Sequence, residues 1–184
     1  MDTGRRQQPP AQSGYILISA MLFLLVVTLI SITALRTTAL QQRMAGNLHD
    51  HQLAFHAAES ALGAAEDWLA SQTKKNIGSN QPTTSPKIWA LDAPELAGMR
   101  TKPHRWWTEN GSQYPLAANH TQALTEISSQ PRVVIQYSHF ARDSTNIGKQ
   151  PRSGINYYRI TAHGSGASDE SAVIIRSSYG QRFH

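Results

Sequence analysis

The chain has 184 residues, of which 40% are hydrophobic and 16% are charged, and it carries a formal net charge of +5 and no cysteine. These totals exclude a disordered chain, structural disulfides, thiolate catalysis and cysteine-based zinc sites. They indicate one globular domain with an apolar appendage, and the small positive excess is not gathered into a long run of like charges.

A long apolar segment lies near the start of the chain. No residue from Gln7 to Leu35 is charged, and residues 15–35 are interrupted only by four hydroxyl side chains. As a helix rising ~1.5 Å per residue, residues 15–35 span roughly 30 Å, the thickness of a bilayer core. Arg5 and Arg6 before the segment predict a cytoplasmic N-terminus and an exported remainder. Hydropathy alone predicts a single-pass anchor, with a cleaved signal peptide as the alternative.

An amphipathic pattern continues without a break through residues 36–72, which contain no proline. It predicts one helix from Tyr15 to Ser71, on the order of 85 Å long at ~1.5 Å per residue. No small domain buries such a helix, so its first half must lie in lipid or among similar helices. Four apolar residues recur every seven positions and predict the face that packs on a sheet. They are Leu48, Phe55, Leu62 and Leu69.

Residues 73–130 form a connecting region of different character. Its first part is polar and carries two prolines, which predicts a loop, and residues 115–128 are assigned a short helix. Three tryptophans are expected to pack this region onto the domain; they are Trp89, Trp106 and Trp107. Stacking on nucleic-acid bases is the alternative, because basic residues lie nearby. A DNA contact would use Lys74, Lys75, Lys102 or Arg105, although scattered surface cations are the simpler interpretation.

Residues 131–184 contain three predicted strands, at 132–140, 157–163 and 172–179. The last two are joined by "GSGASDES" and predict an antiparallel hairpin with one buried and one solvent-exposed face. The sequence therefore predicts an α+β fold, a long helix laid across a small antiparallel sheet.

No motif indicates catalysis, a cofactor or a metal site. His49, His51 and His56 never fall at the i, i+4 spacing that suits a zinc pair on a helix. Gly164-Ser165-Gly166 lacks the third glycine of a nucleotide fingerprint and is interpreted as a turn. The chain is therefore predicted not to be an enzyme.

Three stretches carry a resemblance to a known family. "MDTGRRQQPPAQSG", residues 1–14, is similar to the basic leader of a class III prepilin, which ends in glycine before an apolar helix. "RTTALQQRMAGNLHDHQLAFHAAESAL", residues 36–62, and "YYRITAHGSGASDESAVIIRSSYGQRF" near the end resemble the PilX family of type IV pilus minor pilins. The resemblance implies a pilin-like fold.

The resemblance also implies a maturation pathway and partners. Prepilin peptidase would cut between Gly14 and Tyr15, and Tyr15 would then be N-methylated. The precursor would wait in the inner membrane with a periplasmic head, then join other minor pilins and the major pilin through its helix. The inner-membrane assembly platform and a pilus tip adhesin are further implied partners. The family implies a tip position, priming of the pilus, and support of twitching motility and adhesion.

One residue departs from the pilin pattern. Most pilins carry Glu as the fifth mature residue, where this chain has Ser19. A carboxylate within a membrane favours a partner already in place, so its lack suits a subunit placed early, at the tip. Alternatively, Ser19 is a tolerated hydroxyl that bonds its own backbone. A pseudopilin of a type II secretion system and a membrane-anchored periplasmic protein remain the alternative functions.

Overall fold

The structure is a computed structural model that describes residues 15–116, 122–142 and 154–182. It divides into two compact units, Met1–Gly46 and Asn47–His184. The long helix α1, Tyr15–Ser71, contributes to both units, and it confirms the single uninterrupted helix that the sequence predicts. The predicted leader, with Gly14 at its end, lies outside the described residues.

The described part of the first unit is entirely helical. Its residues are mostly straight-chain or branched apolar types, and it contains no proline to interrupt the helix. Every residue from Tyr15 to Gly46 is exposed.

The second unit places the rest of α1 beside a five-stranded sheet. Its further elements are β1 Ile88–Ala90, two 3₁₀ turns at Pro94–Leu96 and Met99–Thr101, α2 His104–Asn110, β2 Ser112–Gln113, β3 Arg132–Arg142, β4 Gly154–Ser165 and β5 Ala172–Arg182. The strand order is β1-β3-β4-β5, and β2 pairs with another part of β3. The three long strands correspond to the three predicted from alternation, each extended at one or both ends.

The sheet is mixed and not purely antiparallel. β3, β4 and β5 pair antiparallel as predicted, and β2 joins β3 antiparallel. β1 pairs parallel to β3, with Ile88 opposite Ile135. Parallel neighbours need a crossover connection of a dozen residues or more, which residues 91–131 supply here. β1 has three residues, too few for an alternating pattern to predict it.

Alanines form the face of α1 that is buried in the second unit. The fully or almost fully buried residues of the helix are Ala54, Ala57, Ala58, Ala61, Ala64, Ala65 and Leu69. The predicted packing face is therefore wrong for Leu48 and Phe55, which are 60% and 42% exposed. Leu62 is half-buried and packs against the core that contains Leu69. Small side chains predominate on this face because the sheet approaches the helix closely near Ala54 and Ala58, whereas Leu69 is accommodated at the far end.

Gly164 on β4 shows how close that approach is. A Cβ atom at this position would collide with the carbonyl oxygen of Ala54 and the amide nitrogen of Ala58 on α1. Gly164 and Ser165 belong to β4, so the prediction that Gly164-Ser165-Gly166 is wholly a turn is wrong. The glycine permits backbone-to-backbone contact between strand and helix.

The connecting region covers part of the sheet face opposite α1, whereas alternate residues of β5 on that face are exposed, as the sequence predicted. α1 packs on the face that carries Ile135 and Ile160. The connecting region packs on the opposite face around Trp107, which is fully buried together with Val134. Helix α2, which the sequence analysis missed, supplies Trp107. The predicted helix at 115–128 is absent from the described part of that range, 115–116 and 122–128.

Candidate assembly interface

The apolar surface of α1 is the most extensive exposed hydrophobic feature of the first unit. The most apolar 18-residue window of the helix has a mean hydropathy of 2.7 and no buried residue. Tyr15 is 81% exposed, and Leu35 is 71% exposed. By length and composition, α1 is the one helix among the described ranges that could cross a membrane. Such a surface requires lipid or other apolar helices around it.

The hydroxyl groups of this segment are satisfied within the helix. Ser19 donates a hydrogen bond to the carbonyl oxygen of Tyr15 at 2.6 Å, and Ser31 donates to that of Val27 at 2.8 Å. Thr28 and Thr33 also donate to carbonyl oxygens, those of Leu25 and Leu29. An unpaired polar group costs several kcal/mol in hydrocarbon, so these internal bonds make the segment compatible with a dry environment.

Ser19, for which the sequence left two interpretations open, lies within the apolar part of α1. Its hydroxyl donates a hydrogen bond to the backbone of its own helix, which is compatible with both interpretations. A serine hydroxyl carries no charge, and here its proton is donated to the backbone of its own helix. The side chain therefore places no demand on a neighbouring subunit.

A polar contact holds the turn between β4 and β5 onto α1. Asp50 accepts hydrogen bonds from the backbone N–H of Ala167, at 2.5 Å, and from that of Ser168, at 3.2 Å. The Ser168 hydroxyl donates to the second carboxylate oxygen. The hydrogen bond from the Ser168 side chain is the largest cause of a pKa of Asp50 below its ordinary value. Nothing in the local sequence signals this contact, because its partners are far apart in the chain.

Two more hydrogen bonds join the helix end to β5. Ser177 donates to Glu66 Oε1 at 2.8 Å, and the Gln181 side-chain amide donates to the carbonyl oxygen of Gln72 at 3.1 Å. With the Asp50 contact, these bonds tie both ends of the buried part of α1 to the β4–β5 hairpin. The hairpin therefore sets the position of the helix within the second unit.

Two aromatic rings of α2 pack against His163 on β4. His163 stacks on Trp107 with ring centroids 5.1 Å apart, and the His104 ring lies 5.3 Å from His163. His163 is 4% exposed. Burial, and secondarily the neighbouring His104, lowers the pKa of His163 to about 4. The ring is therefore neutral at physiological pH and serves packing.

The other histidines of the described ranges form no metal centre. His56 Nδ1 lies 3.5 Å from Glu59 Oε2, and both side chains are largely exposed. No cluster of three or more metal-ligating side chains occurs within residues 15–116, 122–142 and 154–182.

Two of the four predicted DNA-contacting cations are engaged within the head. Lys75 lies over the rings of Tyr137 and Phe140, and Arg105 pairs with Glu109 at 3.1 Å. Trp89 and Trp107 are buried, which removes them as stacking platforms for bases. This arrangement favours packing for the tryptophans.

Comparison with known proteins identifies two matching families. A family model described as PilX N-terminal matches residues 13–62, and one described as type IV pilus assembly protein PilX C-term matches residues 42–181. No curated protein and no solved structure gives a significant match. The two matches together cover the helix, the connecting region and the sheet.

Proposed function

The chain belongs to the PilX family of type IV pilus assembly proteins, and on that premise we propose how this minor pilin reaches and enters the pilus. The observation that carries the proposal is the apolar part of α1, where every residue from Tyr15 to Leu35 is exposed. Before assembly this segment lies in the inner membrane, with the N-terminus cytoplasmic and the head periplasmic. During assembly it exchanges lipid for the helices of other pilins.

Transfer between these environments needs little change in the helix. Lipid tails and neighbouring apolar helices are similar solvents for leucine and isoleucine, so helix association depends on close packing. Because the hydroxyls of Ser19, Thr28, Ser31 and Thr33 already bond their own backbone, none must find a new partner. The same surface can therefore serve as membrane anchor and as assembly interface.

Maturation by prepilin peptidase comes first in this proposal. The enzyme cuts between Gly14 and Tyr15, and Tyr15 is then N-methylated. Support comes from the family membership and from the position of the apolar segment within α1, because a cut before Tyr15 leaves that whole segment on the mature chain.

The mature subunit is a structural component without enzymatic activity, which accords with the structural role of pilins. Its helix contacts other minor pilins and the major pilin, and the assembly platform delivers it to the base of the growing fibre. We place it at the tip, where it primes assembly and supports an adhesin, because Ser19 lacks the charge that draws a subunit onto a preceding one. Twitching motility and adhesion are the activities it would support.

The experiment is a comparison of mature N-termini and fibre content. The chain is purified from membranes and from sheared pili, and its N-terminus is read by mass spectrometry. We expect methylated Tyr15 in both fractions. Gly14→Glu should leave the leader uncut and the chain absent from pili, whereas Gly4→Glu, the same change elsewhere in the leader, should be processed.

Other outcomes separate the alternatives. An intact Met1 on the wild-type chain would indicate a permanently anchored periplasmic protein. A processed chain that never enters pili, but whose deletion blocks protein secretion, would indicate a pseudopilin of a type II secretion system. Either result would overturn the proposed role.

A further inference from the structure

A groove on the outer face of the sheet gathers three arginines. It lies between the sheet and the segment of the 3₁₀ turns, and its volume is about 470 Å³. Arg159 on β4 and Arg176 on β5 form its floor, and Arg100 on the second turn forms part of its wall. This volume falls in the range of small-ligand sites, roughly 300–1,000 Å³.

Strand register explains why the arginines converge. Arg159 lies directly opposite Gln136 of β3, and Arg176 lies opposite Thr161, two residues along β4. Residues two apart on a strand share a face, so both arginines point to the same side of the sheet. The connecting region then brings Arg100 over them, although it is distant from both in sequence.

The charges of the groove are not neutralised within the described part of the chain. No ion pair there joins any of the three arginines to a carboxylate, and Asp92, the one acidic residue of the lining, is exposed. Arg176 Nε donates to Thr161 Oγ1 at 3.1 Å, which leaves its two terminal nitrogens for another acceptor. Burial, then Arg159 and Arg100, lowers the pKa of Arg176, so the three charges act on one another.

The side-chain oxygen of Gln136, which also lines the groove, lacks a hydrogen-bond donor in the ranges that the structure describes. Gln136 is 3% exposed, and its amide nitrogen donates to the carbonyl oxygen of Leu91 at 3.0 Å. Its Oε1 is buried with no hydrogen-bond partner among the described residues. A buried carbonyl oxygen without a donor is costly, and a small rotation of the Gln136 side chain toward the groove would let a bound hydroxyl supply the donor. Leu91, Ala93 and Met99 add apolar wall to the groove.

We propose that this groove binds a phosphorylated or carboxylated sugar, whose oxyanion contacts Arg100, Arg159 and Arg176 and whose hydroxyl donates to Gln136. Guanidinium groups bind phosphate and carboxylate through paired, charge-assisted hydrogen bonds. The apolar wall suits the carbon face of a sugar ring. A head displayed on a fibre would thereby carry a recognition site for an acidic glycan.

Calorimetric titration of the full chain in detergent micelles tests the site. Glucose 6-phosphate and glucuronate are the probes, and glucose is the uncharged control. We expect saturable binding of at least one acidic sugar, weakened by added salt, and none of glucose. Tighter binding of the first identifies phosphate as the favoured oxyanion, and tighter binding of the second identifies carboxylate.

Matched variants locate the binding. Arg100→Gln should weaken binding about tenfold through loss of a charge-assisted contact. Arg105→Gln, an exposed arginine on α2 outside the groove, should leave binding unchanged. Because Arg100 is exposed, the Arg100→Gln variant should fold normally. Arg176→Gln also loses the hydrogen bond to Thr161, so the test does not depend on the folding of that variant. Thermal melts of each variant report folding.

Three results would overturn the proposal. They are the absence of saturable binding, equal affinities for the Arg100 and Arg105 variants, and binding of an oligothymidylate through Arg100 without binding of either acidic sugar. The last would assign the groove to nucleic acid. None of these results bears on pilus incorporation, so the glycan site and the assembly role fail separately.

Discussion

Asp50 on α1 accepts hydrogen bonds from both the backbone N–H and the hydroxyl of Ser168, 118 residues later in the chain. Gly166 lies at the same junction, where a Cβ atom would collide with the Asp50 side chain. The long helix and the β4–β5 hairpin therefore meet through a carboxylate that fits a turn of small residues.

Acid should weaken this junction. The folded-state pKa of Asp50 is lowered, so its stabilising effect is present above the ordinary pKa of 3.8 and is lost as pH falls through the folded value. Asp50→Asn should lower the melting temperature at pH 7 and flatten its decline below about pH 4. Asp169→Asn, at an exposed position of the same turn, should behave as the wild type. Parallel melting curves for the Asp50 variant and wild type across this range would contradict the role assigned to Asp50.

Burial of His163 predicts a second loss of folding stability, at higher pH than the loss caused by Asp50. Its pKa is about 4 in the folded state and 6.5 ordinarily, so the unfolded chain binds more protons between these values. Stability should therefore fall on acidification from about pH 6.5 to pH 4, by up to roughly 3 kcal/mol. His163→Phe keeps an aromatic ring against Trp107 and should remove this loss, whereas His51→Phe, on the exposed helix surface, should not. Denaturant unfolding at a series of pH values measures the difference.

The alanine face of α1 predicts an uneven effect of truncating the heptad residues. Leu69 is fully buried, so Leu69→Ala should destabilise the head by about 2–5 kcal/mol. Phe55 is 42% exposed, so Phe55→Ala should cost less than about 1 kcal/mol. Urea unfolding followed by tryptophan fluorescence compares the two. Equal losses of unfolding free energy in the two variants would support the heptad packing face that the sequence predicts.

The close approach of β4 to α1 predicts opposite effects for two glycines. Gly164→Ala should destabilise the head by about 3 kcal/mol or more, because the added methyl meets helix backbone atoms that cannot rotate away. Gly63→Ala should stabilise it by up to about 1 kcal/mol, since nothing lies within 4 Å of a Cβ there and alanine favours the helix. Thermal unfolding of both variants under one condition makes the comparison. A tolerated Gly164→Ala would contradict the contact.

Ser19 predicts how many copies of the chain enter each pilus. Ser19→Glu introduces the carboxylate that favours docking onto a preceding subunit, so the ratio of this chain to major pilin should rise several-fold in sheared fibres. Ser19→Ala removes only the bond to Tyr15 and should keep the wild-type ratio. Quantitative immunoblots measure both ratios. An unchanged ratio for the Glu variant would contradict the proposed link between Ser19 and a tip position.

Local patterns were sufficient for much of this molecule. The absence of proline and the helix-favouring residues of 15–71 predicted α1, and the alternation of apolar and polar residues predicted β3, β4 and β5. Both signals are local, because helix and strand periodicity depends on residues that are near one another in sequence. Residues 36–62 and the C-terminal stretch carried the resemblance to the PilX family, which the family matches confirm.

Tertiary packing decided the rest. The heptad residues and the alanines both recur along α1, and the close approach of β4 at Gly164 favours alanine over larger residues near Ala54 and Ala58. Likewise, Asp50 meets Ser168, and Arg100 reaches Arg176, only after the chain has crossed the sheet. Sequence alone determined the elements and the family, whereas contacts between distant residues depend on strand register and interlayer distance, which no local pattern encodes.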